Sequence, residues 1–252
     1  MSDFTFLVDL ANHPVSLAWA LLGVVVAYAV FTLVGFGSTL MASGPLAMLM
    51  PVGKVIPMLA MLDFAGSLLR GWRARKEVAW GAFMQLFPGM LAGQLLGVLI
   101  LAKLPHALMA MVLGGFVVIQ GLKGLVQRRE AARLPRFAIG HGLFGGVLGG
   151  LFGSGGFIYA AYLERILESR AAFRATQAAL IALSTAWRIL LCLSVGLLDL
   201  SLLWTALAFA PAMMLGVFIG HHIDLRVNRE QLFMLLNGLL VASGTTLVIR
   251  FL

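Results

Sequence analysis

Four stretches of this chain, residues 16–34, 80–102, 106–122 and 204–220, run for 17 to 23 residues each without a charged side chain. A helix of roughly 20 apolar residues covers the ~30 Å hydrocarbon core of a bilayer, so these segments restrict the chain to a bundle of membrane-crossing helices. The composition agrees: 61% of the 252 residues are hydrophobic and 11% charged, too few polar groups to coat a water-soluble domain of this size. Strands of a transmembrane barrel would alternate over about ten residues, which these runs do not. Residues 1–14 carry Asp3 and Asp9 and no cation, unlike a cleavable signal peptide. Cys192 is the single cysteine, so neither an intramolecular disulfide nor a thiolate metal site is expected. The expected class is an all-α integral membrane protein.

Two glycine-rich stretches, Val34-Gly35-Phe36-Gly37-Ser38 and Leu151-Phe152-Gly153-Ser154-Gly155-Gly156, interrupt the apolar sequence, and each is followed by a short apolar run, 38–50 and 155–167. Glycine is poor in a helix interior, and backbone that leaves the helix at membrane depth survives only where protein or a cavity satisfies it. A pair of such breaks at matching places in two halves points to a transporter's binding site. The halves do match in order. Phe36-Gly37-Ser38 corresponds to Phe152-Gly153-Ser154, Ser67 to Ser184, Pro88 to Pro211, Gly93 to Gly216, Gly97 to Gly220 and Gly115 to Gly238. The expected organisation is a first transmembrane repeat over 1–126, a basic cytoplasmic linker over 127–136 and a second transmembrane repeat over 137–252.

The net charge of +8 comes from cations gathered in short loops, which suits a membrane protein and not a nucleic-acid partner. One cluster holds Arg70, Arg73, Arg75 and Lys76, and a second Lys123, Arg128, Arg129, Arg133 and Arg136; a third holds Arg165, Arg170 and Arg174, and a fourth Arg226 and Arg229. If the short runs only dip into the membrane and return, these clusters fall on opposite faces, 10 cations against 7. If the short runs count as crossings, all four clusters share one face, 14 against 3, with Arg188 left inside the membrane. The positive-inside rule selects the second arrangement. It predicts two inverted repeats, each of four full transmembrane helices plus a short broken or partial segment, 8–10 segments in total. Thirteen residues of helix span only about 20 Å, hence the partial segment.

A helix that restarts after a glycine turn presents free backbone N–H groups and the positive end of its dipole to an anion. On that argument Gly37, Ser38 and Thr39 in the first break and Ser154, Gly155 and Gly156 in the second are candidate anion-binding residues. The alternative for these glycines and hydroxyls is close helix packing, the expected role of Gly93, Gly97, Gly216 and Gly220. Arg188 lies in the apolar stretch 180–198, where a cation is costly and its planar fork of donors suits an oxyanion. Pairing with Asp63, the acidic residue well inside a predicted helix of the first half, and snorkelling toward an interface are the rival roles. Asp63 is also a candidate proton carrier for coupling. His221 and His222, beside Asp224, point about 100° apart on a helix and do not suggest a metal site. The run 149–156 lacks the lysine of a nucleotide-binding loop. No catalytic constellation emerges, and no enzyme activity, cofactor or metal is expected.

On its glycine motifs the chain resembles the sulfite/sulfonate exporter (TauE/SafE-like) family of small permeases. Gly35-Phe36-Gly37-Ser38-Thr39 with Gly44-Pro45 is similar to the first family motif, and Gly153-Ser154-Gly155-Gly156-Phe157-Ile158 to the second, over approximately residues 16–250. Ser38-Thr39 stands where a glycine run is common. The resemblance implies sulfite or an organosulfonate as substrate, and it places Thr176 and Gln177 in the polar patch of the second half. The expectation is thus a multi-pass permease of the bacterial inner membrane that exports a small sulfur-containing anion by alternating access around a midplane site, with its basic loops cytoplasmic. Proton coupling, lipid contacts and a homodimer through glycine-rich faces fit the same reading. An anion channel and a non-transporting membrane accessory protein are the alternatives.

Overall fold

The computed structural model describes residues 14–47, 49–126 and 137–222, together with 237, 238, 241, 242, 244, 245, 248 and 249. The expectations for the N-terminus, the linker 127–136, Asp224, Arg226, Arg229 and Arg250 fall outside the described residues. Within them the chain is helical and contains no strand. In order it forms α1 (Pro14–Val34), α2 (Ser38–Ala47), α3 (Val52–Ala74), a 3-10 turn (Arg75–Glu77), α4 (Trp80–Lys103), α5 (His106–Val126), α6 (Ala138–Phe152), α7 (Gly156–Ile166), α8 (Arg170–Ser194) and α9 (Leu200–His222). Five of them, α1, α3, α4, α8 and α9, are long and apolar enough to cross a bilayer; α5 and α6 carry shorter apolar stretches, Ala107–Lys123 and Ala138–Phe152. Large apolar side chains such as Trp19, Leu96, Phe144 and Phe218 are more than half or nearly half exposed, as lipid-facing residues are. The protein is an all-α, multi-pass membrane protein.

Side-chain pairs fix the direction in which each helix runs. Lys54 Nζ lies 3.2 Å from Asp199 Oδ2, Arg188 Nη2 lies 3.7 Å from Asp63 Oδ2, and the Ala79 amide donates to Thr176 Oγ1 at 2.9 Å. Partner numbers fall as α3 advances, so α3 and α8 are antiparallel. Tyr28 bonds Asp63 and Phe31 packs at Gly66, so α1 and α3 run the same way. Ala79 meets Thr176, Gln94 meets Ser184 and Val98 packs on Leu191, so α4 and α8 run together. The chain therefore reverses at each glycine break. At 1.5 Å per residue α2 is only about 15 Å long, but as the returning arm of a hairpin it needs no more than that.

Glycines bring backbones together at several contacts, two of them between long helices. Gly89, Gly93 and Gly97 of α4 face the backbone of Ile139, Leu143 and Val147 in α6, and Gly216 and Gly220 of α9 face Val25 and Ala29 in α1. Both pairs are parallel, and the glycines serve packing there, as their small-xxx-small spacing predicts. The buried core follows the same division. Tyr28, Phe31, Met58, Leu59 and Phe209 join α1, α3 and α9, while Phe83, Leu86, Met90, Tyr159 and Leu180 join α4, α7 and α8. Between these two bodies α3 and α8 cross, with the two glycine breaks on either side.

A Cβ at Gly93 would collide with the Leu143 carbonyl oxygen, whereas one at Gly81 meets nothing within 4 Å. Gly93→Ala should therefore destabilise the detergent-solubilised protein by about 1–3 kcal/mol, read as a lowered thermal midpoint, and Gly81→Ala should leave the midpoint in place.

Candidate functional site

Both breaks require glycine. Gly35 and Gly37 have φ of 97° and 96°, and Gly153 has φ of 67°, a left-handed region that side chains with a Cβ rarely adopt. The breaks also lie against each other. A Cβ at Gly153 would come within 2.6 Å of Thr39 Cγ2 and of Arg188 Nη1, and one at Gly156 within 2.8 Å of Phe36 Cβ. After each break a helix restarts: Met41 N–H bonds the Gly37 carbonyl at 3.2 Å, and Tyr159 N–H the Gly155 carbonyl at 3.3 Å. The earlier first-turn amides lie outside the helical ladder, except that of Ile158, which bonds the Gly155 carbonyl at 3.1 Å.

At the crossing of α3 and α8 sits a buried charge pair. Asp63 is 3% exposed and Arg188 2%. Three hydroxyls donate to the carboxylate: Tyr28 and Ser38 to Oδ1 at 2.7 and 2.6 Å, and Thr39 to Oδ2 at 2.9 Å. Hydrogen bonding of this kind favours the charged form and offsets part of the desolvation cost. Arg188 is less well provided for. Its Nη1 donates to the Gly149 carbonyl at 2.9 Å, its Nη2 is 3.7 Å from Asp63, and neither Nη2 nor Nε has a hydrogen-bond partner among the described residues.

Those free donors border a cavity of about 20 Å³ lined by both breaks, with Gly37, Ser38 and Asp63 on one side and Gly153, Ser154, Gly155, Gly156 and Arg188 on the other. That is room for roughly one water; an oxyanion needs the breaks to part. Of the sequence-derived candidates, Gly37, Ser38, Asp63, Ser154, Gly155, Gly156 and Arg188 line this cavity, and Thr39 backs it through Asp63 and Gly153. Gln177 lies beside Gly35 instead. Thr176 accepts from the Ala79 amide at the start of α4, away from the cavity.

The structure adds residues that the sequence did not single out. Tyr28 supports Asp63. The Gly149 carbonyl holds Arg188, and Gln94 Nε2 donates to Ser184 Oγ at 2.6 Å one helical turn from Arg188. Only Ser184 carried a signal, its i, i+4 spacing from Arg188. Elsewhere, His141 Nδ1–H donates to the Phe137 carbonyl and His222 Nδ1–H to the Phe218 carbonyl, so each histidine is tied to its own helix.

Tyr28 and Ser38 share one carboxylate oxygen, which makes them coupled. Tyr28→Phe or Ser38→Ala alone should cost about 1.5–3 kcal/mol, the worth of a hydrogen bond to a buried charge, in denaturation of the solubilised protein. The double variant, which strips Oδ1 bare, should cost more than the sum of the two.

Residues 19–247 match the profile of the family described as Sulfite exporter TauE/SafE. Over 191 residues, 74% of this chain and 80% of the relative, the sequence is 28% identical to the "Probable inner membrane transporter protein TsaS" of Comamonas testosteroni. No solved structure matches. The family match takes in both glycine breaks, Asp63 and Arg188, and its members are transporters, not enzymes: the chain belongs to the sulfite exporter TauE/SafE family of membrane transporters.

Proposed function

We propose that this protein exports a small sulfur-containing anion, sulfite or an organosulfonate, by alternating access around the cavity between the two glycine breaks. The observation that carries the reading is Arg188: a buried guanidinium with two nitrogens, Nε and Nη2, that lack a hydrogen-bond partner among the described residues, at a cavity flanked by two helix restarts. A planar donor fork matches an oxyanion, and the restarts add neutral donors. The family description supplies the substrate class, and the relative's name places that protein in an inner membrane; we assign both to this chain, with Arg75, Lys76, Arg165, Arg170 and Arg174 on the cytoplasmic face. Two inverted halves are the arrangement that fits. The pairing of α1 with α9 mirrors that of α6 with α4, and antiparallel α3 and α8 are the mirror pair at the centre.

Charge balance gives Asp63 its part. Asp63 and Arg188 together are neutral; a bound monoanion, hydrogensulfite or a sulfonate, leaves one uncompensated negative charge in a medium that tolerates it poorly. A proton on Asp63 restores neutrality, and three hydroxyls stand ready to reorient around the protonated acid. Anion and proton then move as a neutral unit, and transport is secondary.

Sulfite flux into or out of proteoliposomes tests both assignments. Arg188→Ala should lower flux by about a hundredfold, the ~2–3 kcal/mol of a charge-assisted contact, and Arg188→Lys should recover only part because it lacks the fork. Normal flux in Arg188→Ala would overturn the site. With Asp63→Asn, flux driven by a pH gradient should vanish while exchange of labelled for unlabelled sulfite persists; a surviving pH response would remove Asp63 from the coupling.

A further inference from the structure

Arg188 apart, four buried side-chain atoms among the described residues have no hydrogen-bond partner: Ser67 Oγ, Gln94 Oε1, Tyr159 OH and Gln177 Nε2. All four lie to one side of the Asp63–Arg188 pair. Ser67 is one turn beyond Asp63 toward Arg75 and Lys76 at the end of α3. Gln177 is about 16 Å along α8 from Arg188, toward Arg174 and Arg170. Gln94 is held level with Ser184, one turn from Arg188 in that same direction. Tyr159 stands in α7, which leads from the break toward Arg165, and its hydroxyl reaches back to the Gly155 position at the cavity.

Apolar packing runs through both sides, Phe83, Leu86 and Leu180 surrounding Tyr159 on this one, but the other side differs in its polar atoms. Toward Lys54, Lys103 and Asp199 the buried hydroxyls of Ser43 and Thr205 bond carbonyls of their own helices. The remaining packing there is apolar: Met41, Leu46, Val55, Met58 and Leu59. A dry interior does not leave polar atoms unpaired on one side only. Such atoms are ordinarily matched by water, and each costs about 1–3 kcal/mol if it is not.

We propose that Ser67, Gln94, Tyr159 and Gln177 mark an aqueous access route by which the hydrated anion reaches Arg188 from the face carrying Arg75, Lys76, Arg165, Arg170 and Arg174, while apolar packing seals the opposite side. The inference takes from the preceding reading that the Arg188 cavity is the transport site. The route is lined by neutral hydroxyls and amides, which hydrogen-bond an oxyanion or its water without holding it as a cation would. Once past the mouth, the anion therefore moves on to Arg188, the first full charge inside the route. Cations at the mouth concentrate anions there.

Hydroxyl-radical footprinting of the wild-type chain in lipid nanodiscs reads the water directly. Tyr159 should be oxidised, and Met41 and Met58, intrinsically more reactive, should be protected; a protected Tyr159, or oxidation of these methionines to the same extent, overturns the route. In a Cys192→Ala background, Ser67→Cys and Gln177→Cys should react with a membrane-impermeant thiol reagent from the basic face of oriented vesicles, and Leu59→Cys should not react from either. Labelling from the opposite face, or equally from both, refutes the proposal. None of these readouts needs substrate. A chain that carries no sulfite yet labels from the basic face loses the functional reading and keeps the route, and the converse result does the reverse.

Discussion

Desolvated charge governs this molecule. A carboxylate and a guanidinium are both nearly inaccessible at the centre of an apolar bundle, where either alone would cost several kcal/mol. Everything around the pair serves that problem: three hydroxyls from α1 and α2 on Asp63, a carbonyl from α6 on Arg188, and a separation of 3.7 Å that leaves the two charges near each other without a full hydrogen bond. Asp63 is thereby satisfied largely by neutral donors. Arg188 is kept electrostatically tolerable while its remaining donors stay available. A tighter pair would be more stable and less useful.

The glycine breaks are the means by which helices deliver those groups. Gly37 turns the chain so that Ser38 and Thr39, the first two residues of α2, both reach the same carboxylate. Gly153 must lack a Cβ because Thr39 and the guanidinium occupy that space. Backbone geometry, hydroxyl placement and charge burial are thus one constraint, seen from three sides.

Much of this was legible in the sequence, for physical reasons. Charged residues at membrane depth are costly enough to announce themselves, so Asp63 and Arg188 stood out, and glycine clusters in apolar runs marked the breaks. The cation distribution favoured counting the short runs as crossings, and α1 and α3, like α6 and α8, run in the same direction, as that count requires. Tyr28, Gln94 and Tyr159 did not stand out, because a single polar group in an apolar helix reads equally well as core or interface. Their partners are 35 to 90 residues away, or absent. Thr176 was expected near the anion on family resemblance, but α8 is 25 residues long and its first third lies beside the turn after α3. A threonine there has a backbone amide to satisfy.

The glycine seams have a consequence for how such a chain can be assembled at all. The first 126 residues contain α1 and α4 but neither α9 nor α6, the helices whose backbones close onto them. Released alone in a bilayer, this half would leave the Gly89, Gly93 and Gly97 track of α4 facing lipid, and lipid tails cannot fill a groove cut for a peptide backbone. The faces of α1 and α4 are therefore closed only once α9 and α6 are in place, so the early helices finish packing only after the late ones have entered the bilayer.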